Sequence, residues 1–309
     1  MAVFVCGRCR SAANKMRDVG SLAYIRSMGR VVSLIQSVGR FFRNWVKPVG
    51  WRAACTWVGY RARLAMGFRV PAILKIWPRQ AKHPVIARLG ESSDILVFNQ
   101  IFNLNGYASL QDISPSRLIL DLGANVGYAS AYFLSLFPSA TVVAVEPDPG
   151  NFEVCRQNLV PYGNRARLVL GAAWPRRSRL ALVRGNSEDG REWATQVREC
   201  RNRDEAATVE GWDIPSLLEL AGAHEIDLLK VDIEGSELQL FEESSALWLP
   251  QVRNICIELH GSDCEQVFRH ALRDFEYELT RSGELTVCRN LRRRSVSNLS
   301  QPPDKTRAV

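Results

Sequence analysis

Asp121-Leu122-Gly123-Ala124-Asn125-Val126-Gly127 is the stretch on which the fold turns. It closes a short apolar run, residues 117–122, and leads directly into a helical run, 128–137, that Pro138 stops. Glycines at 123 and 127 permit a tight turn and let another group approach the backbone closely. A strand, a glycine turn and a helix in that order form the opening unit of an alternating fold.

The alternation continues outward from there. Strands are expected at 141–146, 167–173, 226–231 and 252–259, with helices at 150–159, 214–221 (capped by Asp213), 236–243 and 264–272. A terminal strand pair, 277–280 and 285–289, completes the domain. The polar stretch 175–209 is expected to be irregular, with room for a hairpin at 179–183 and a substrate loop. This grammar predicts an α/β fold: a doubly wound, mainly parallel sheet with a terminal antiparallel strand. Its ligands should bind at the carboxyl ends of the strands.

The turn also selects among ligands. Its spacing is Gly-x-x-x-Gly, not the Gly-x-Gly-x-x-Gly that rests a pyrophosphate on a helix N-terminus. A sulfonium cofactor has no phosphate, but its amino-acid end carries an ammonium and a carboxylate. Asp121 suits the cation, and the N–H groups of the turn through Gly123, Ala124, Asn125 and Gly127 suit the carboxylate. Glu146 ends the second strand nineteen residues after Gly127 and is followed by Pro147. There it is placed to accept hydrogen bonds from both ribose hydroxyls, each worth about 1.5–3 kcal/mol to a charged acceptor. The expected cofactor is S-adenosylmethionine.

The chain resembles the FkbM-type methyltransferases over residues 92–287. The resemblance rests on 93–102 followed by Tyr107, on 118–128, and on Val145-Glu146-Pro147-Asp148-Pro149. It continues through Lys230-Val231-Asp232-Ile233-Glu234-Gly235-Ser236-Glu237 and Ile257-Glu258-Leu259-His260. It implies a class I, Rossmann-like methyltransferase fold. It also implies O-methylation of a hydroxyl on a saccharide, glycolipid or secondary metabolite.

Methyl transfer to an alcohol needs an aligned acceptor and a group to take its proton. Lys230, Asp232 and Glu234 alternate at the end of the fourth strand, and Glu258 and His260 at the end of the fifth. If those strands are neighbours, Asp232 and His260 flank one pocket, and these two are the expected catalytic residues. Glu234 and Glu237 are candidates to cap the next helix or to orient Lys230, and Glu258 to neutralise Lys230. The acids have no recognised metal-ligand spacing, and no metal is expected.

The net charge of +8 is unevenly spread. Residues 1–90 hold 17 Lys/Arg and one acid, Asp18, so the remaining 219 residues carry a net −8. An acidic middle argues against a catalytic face that tracks phosphates, and no specific nucleic acid is expected as partner. The division expected is a basic, partly helical arm (1–90), a cofactor-binding domain (91–290) and a basic, disordered tail (291–309). The arm has apolar residues at helical spacing from Tyr24, then a second helix carrying Trp51, Trp57, Tyr60, Leu64 and Phe68, then an irregular connector marked by Pro71, Pro78 and Pro84. Residues 24–70 are thus a candidate for peripheral membrane contact. Eight scattered cysteines, the lack of signal-peptide grammar and the lack of a membrane-length apolar run lead to the expectation of a cytoplasmic protein. The alternative to an enzyme is a non-catalytic or differently reacting Rossmann-like domain attached to a membrane or partner through the arm.

Overall fold

The computed structural model describes residues 42–90, 92–113, 117–184, 195–200 and 207–294. The expected helix beginning at Tyr24 lies mostly outside these residues, as does the tail beyond 294. The chain enters through a short helical turn, Lys47–Val49, and helix α1 (Trp51–Ala65). The stretch expected to be an irregular connector instead forms an antiparallel hairpin, β1 (Ile73–Ile76) with β2 (Val85–Arg88). Val49, Ala53, Ile76, Val85 and Ala87 are buried in the main core, so position 90 is not a boundary between separately packed bodies. Buried Asn158 ties the hairpin down, accepting from the Ile86 N–H (2.6 Å) and donating to the Val126 carbonyl (2.8 Å). A helical segment follows, α2 (Asp94–Phe98), continued by a wider turn through Asn103.

From here the expected alternation is found: β3 (Leu118–Leu122), α3 (Tyr128–Leu136), β4 (Thr141–Glu146), α4 (Pro149–Leu159) and β5 (Ala166–Leu170). The expected strand 167–173 divides at Gly171. Its end, β6 (Ala172–Ala173), joins a small sheet with β7 (Ser178–Arg184), β8 (Thr195–Glu199) and β9 (Thr208–Trp212) from the stretch expected to be irregular, in the order β6-β9-β7-β8. Leu180, Val209 and Trp174 give this small sheet its own core, which a window of mostly polar residues does not advertise. The chain then runs through α5 (Ile214–Ala221), β10 (Leu228–Val231), α6 (Glu237–Trp248), β11 (Ile255–Glu258), α7 (Ser262–Ala271), β12 (Phe275–Ser282) and β13 (Leu285–Arg293). The Asp213 side chain caps α5 as expected, accepting from the Ser216 N–H at 2.8 Å. The tail was expected to start at 291, but β13 continues to Arg293 and Leu291 is buried.

The main sheet has seven strands in the order β12-β13-β11-β10-β3-β4-β5. Pairings from β11 through β5 are parallel, and β13 enters antiparallel between β11 and β12. Both faces are covered, so β3, β4 and β10 are almost wholly apolar and buried, as a central parallel strand must be. Helices α3 and α4 join the hairpin in the core on one face. Helices α5, α6 and α7 form the other, around Leu217, Leu240, Phe241, Trp248 and Phe268. The chain reverses direction across the sheet between β3 and β10, the place where such a fold opens a crevice.

Candidate cofactor and active site

The crevice is held together by a charge that water does not reach. Lys230 lies opposite Asp121 in the β3–β10 register. Its Nζ is 3.2 Å from Asp121 Oδ1 and 3.5 Å from Asp232 Oδ2, and it donates to the Gly123 carbonyl at 2.6 Å. Against the cost of burial, Asp121 and Asp232 hold this amine protonated well above the usual lysine range. Asp121 Oδ2 accepts from Ser130 Oγ at 2.6 Å. Asp121, expected to receive the cationic end of a ligand, is fully buried and faces Lys230 and Ser130.

Gly123 has φ +76°, and a Cβ there would sit 1.7 Å from the Asp232 carbonyl oxygen. The turn after β3 and the loop after β10 touch at this point, and only glycine lets them. Gly127 has φ +80° and opens α3, where a Cβ would meet Cys155 Sγ at 2.9 Å. Its role is to let α3 and α4 pack, and it lines neither cavity described below.

Two cavities open at the carboxyl ends of β3, β4 and β10. The smaller, with about 560 Å³ of empty space, is lined by Gly123, Asn125, Glu146, Pro147 and Asp232, with Val197 of β8 on its far wall. The larger opens to solvent and holds about 1870 Å³. Its lining includes Ile101, Tyr107, Ala124, Lys230, Glu258 and Leu285. Gly123, Asn125, Asp232 and Glu234 line both, so the two spaces meet at the β3–β10 contact. Of the residues expected to hold the cofactor, the structure brings Gly123, Ala124, Asn125, Glu146 and Pro147 to this crevice and leaves Asp121 and Gly127 beneath it.

Glu146 is 4% exposed. One oxygen accepts from the Asn125 N–H (2.8 Å) and the other from the Asp148 N–H (2.9 Å), leaving a lone pair on each for a ligand. Burial pushes its carboxyl up to about 7. Two hydroxyl donors arriving together would repay that desolvation, so the site fits a ribose diol. The geometry therefore suits the sulfonium nucleoside expected from the turn.

The other cluster lies where β10 and β11 end. The loop after β10 turns sharply at Glu234 (φ +55°) and Gly235 (φ +98°). Buried Glu237 holds this turn, accepting from the Ile233 N–H (3.0 Å) and Gly235 N–H (2.8 Å). The same carboxylate is 3.0 Å from Nδ1 of His260 and fixes the ring. Nε2 then faces Glu234 at 3.6 Å, Glu258 at 3.8 Å and Asp232 at 4.0 Å. Its bond to Glu237, reinforced by the surrounding carboxylates, raises His260 to about 9, so the ring is an imidazolium at neutral pH. Burial, with the Asp232 charge adding to it, lifts Glu258 to about 7.

Asp232 and His260, expected to flank one pocket, come within 4.0 Å of one another, but of the two only Asp232 lines the cavities. The reading of Glu258 as the partner of Lys230 is corrected: Asp121 and Asp232 hold the lysine, and Glu258 lines the larger cavity beside His260. Donor atoms of Asp232, Glu234 and His260 lie within 4.8 Å of one another, so the acids and histidine do assemble a set that a divalent cation could fill, which their sequence spacing did not show. Val197 was not expected at the site, and Tyr107 was marked only as part of the family resemblance. Glu237, expected to cap the next helix or to orient Lys230, instead holds the turn and His260.

The chain is similar in sequence to known methyltransferases. The family described as "Methyltransferase FkbM domain" matches residues 121–281. The 2-O-methyltransferase NoeI of Sinorhizobium fredii is 32% identical over 135 residues, which cover 40% of this chain and 55% of that protein, so the match spans about half of its length. The methyltransferase sdnD of Sordaria araneosa is 25% identical over 215 residues, covering 60% of this chain and 82% of that one. Among solved structures, an S-adenosylmethionine-dependent methyltransferase from Agrobacterium tumefaciens gives a TM-score of 0.42 at 10% identity, over 71% of this chain and 70% of that chain. The matched span holds the glycine turn and Glu146, and the chain belongs to the FkbM methyltransferase family.

Proposed function

We propose that the enzyme methylates a hydroxyl group of a saccharide, glycolipid or secondary metabolite, with Asp232 and His260 at its catalytic centre. The observation that carries this reading is the cluster of Asp232, Glu234 and Glu258 around His260, whose three carboxylates line the larger cavity. That NoeI is a 2-O-methyltransferase supports the choice of oxygen as acceptor. When bound, the cofactor supplies an electrophilic methyl group.

The chain's own residues do the rest. Asp232 lines both cavities and orients the acceptor hydroxyl at the neck between them. Glu258, poised near neutrality, takes the hydroxyl proton; a base whose pKa lies near the working pH combines availability with driving force. His260, held by Glu237, keeps one positive charge among Asp232, Glu234 and Glu258, so that three carboxylates can share a small space. The apolar wall of Ile101, Tyr107 and Leu285 limits water at the neck.

The reading is tested by assaying transfer of labelled methyl groups to a panel of free and lipid-linked saccharides and hydroxylated polyketides. His260→Ala is expected to lower kcat about 10²–10⁴-fold while S-adenosylhomocysteine binding by calorimetry stays within a few-fold. Activity should survive dialysis against EDTA, because the imidazolium already supplies the positive charge at that position. Transfer to nitrogen acceptors only, or an unchanged kcat in His260→Ala, would remove the proposal. Loss of activity that magnesium or manganese restores would assign the charge to a cation instead.

A further inference from the structure

Seven of the large hydrophobic side chains that stand exposed on the described residues fall between positions 51 and 77. They include Trp51 (65% exposed), Met66 (64%) and Phe68 (57%) on α1 and the turn after it, and Ile73 and Trp77 on and beside β1. Helix α1 packs through Ala53 and Ala54, and from Arg61 to Arg69 every residue is exposed. On β1, Ile73 and Lys75 point outward while Ile76 is buried. Soluble surfaces rarely gather this much apolar area in one segment unless something covers it.

The charges on the same segment are all of one sign. Residues 42–90 contain ten Lys/Arg and no acid. Nine of the ten are exposed; Arg88, the tenth, pairs with Asp94 at 2.8 Å. Cation and ring stand side by side: the Arg52 guanidinium lies 5.6 Å from the Trp51 ring centre, and Lys75 Nζ 5.8 Å from that of Trp77.

We propose that this face docks on the surface of a bilayer containing anionic lipid, its aromatic and aliphatic side chains entering the headgroup boundary and its arginines and lysines meeting lipid phosphates. Charge decides against the other occupants. Residues 1–41 of the same chain carry seven Lys/Arg and one acid, and a second copy pairing this face with its own brings the same charge, so both are repelled. A nucleic acid would match the charge but leave the aliphatic side chains in water. Anionic lipid satisfies both, as it does for basic amphipathic helices in general. No described helix is long and apolar enough to cross a membrane.

Co-sedimentation of the full chain with vesicles tests this. Phosphatidylcholine vesicles containing phosphatidylglycerol should bind it at least about tenfold more strongly than phosphatidylcholine alone, and less as salt is raised. The triple variant Trp51→Ser, Phe68→Ser, Trp77→Ser and the triple variant Arg61→Glu, Arg63→Glu, Arg69→Glu should each weaken binding about tenfold or more. Both should retain wild-type affinity for S-adenosylhomocysteine, which shows that they fold and separates this proposal from the assignment of the cofactor site. Equal binding to both kinds of vesicle, binding that neither variant alters, or loss only on removal of residues 1–41 would overturn it. So would retention by RNA at concentrations where anionic vesicles do not bind.

Discussion

Glu146 has one backbone N–H on each oxygen and a carboxyl raised by burial to about 7. Ribose hydroxyls are donors to it, and they favour its ionised form. Binding therefore releases a proton below about pH 7, and affinity rises with pH until Glu146 is fully ionised in the free enzyme. Calorimetry with S-adenosylhomocysteine should show affinity increasing several-fold from pH 6 to pH 8, at most about tenfold per pH unit below the midpoint. Glu146→Gln should bind more weakly and lose this pH dependence; wild-type affinity in the variant would remove Glu146 from the site. Gly123 is a second residue whose role is set by a single distance. Gly123→Ala places a methyl group 1.7 Å from the Asp232 carbonyl oxygen, so the β3 and β10 turns must separate. We expect loss of cofactor binding and a lower melting temperature, read by calorimetry. Unchanged binding would mean that the two turns need not touch.

At the scale of elements, the functional unit is the neighbouring pair β3 and β10. Their parallel register sets Lys230 opposite Asp121, and the lysine bonds across to the Gly123 carbonyl, joining two strand ends that are more than a hundred residues apart. Removing one partner of a buried ion pair leaves an uncompensated charge, which typically costs about 3–5 kcal/mol. Lys230→Met should accordingly be strongly destabilised in urea denaturation. Lys230→Met combined with Asp121→Asn should cost clearly less than the two single changes added together. Additive effects would show that the two groups are not coupled. The pair could not be read from sequence: Lys230 was visible as part of an alternating Lys-x-Asp-x-Glu run, but its partner is fixed by which strands become neighbours. The same gap made Glu258 look like the lysine's partner.

For the whole molecule, the hairpin β1–β2 and the turn at Val49 belong to the same core as α3 and α4. A protein beginning at residue 91 would expose Tyr128 and Phe102 on that side and leave the Tyr128 hydroxyl without the Ile86 carbonyl it bonds at 2.8 Å. We expect this truncation to aggregate or to melt well below the full chain in scanning calorimetry. A cooperative transition at the full-length temperature would restore the boundary at 90. The sequence concealed this packing because the segment's prolines and positive charges resemble a linker. Its few inward-facing residues, Ile76, Val85 and Ala87, are too sparse to make a periodic signal. Most of the main sheet was legible, from β3 to α7, because there apolar runs alternate with helical stripes and glycine or proline marks each join. The small sheet of β6 to β9 was not, since its strands are short and mostly polar and gain stability only by pairing with one another.

Taken by itself, the sequence determined the βαβ alternation, the turn from Asp121 to Gly127, the acid at position 146 and thereby the class of methyl donor. These are local matters: backbone freedom at a glycine, the period of an apolar pattern, and the chain distance between a turn and the next strand's tip. Only the tertiary structure decided that Asp121 pairs with Lys230, and that Glu258 lines the larger cavity. It likewise decided that Glu237 orients His260 from the turn between β10 and α6. Those roles depend on strand order and on burial. Both arise when segments far apart in the chain pack together, and neither leaves a mark in the spacing of neighbouring residues.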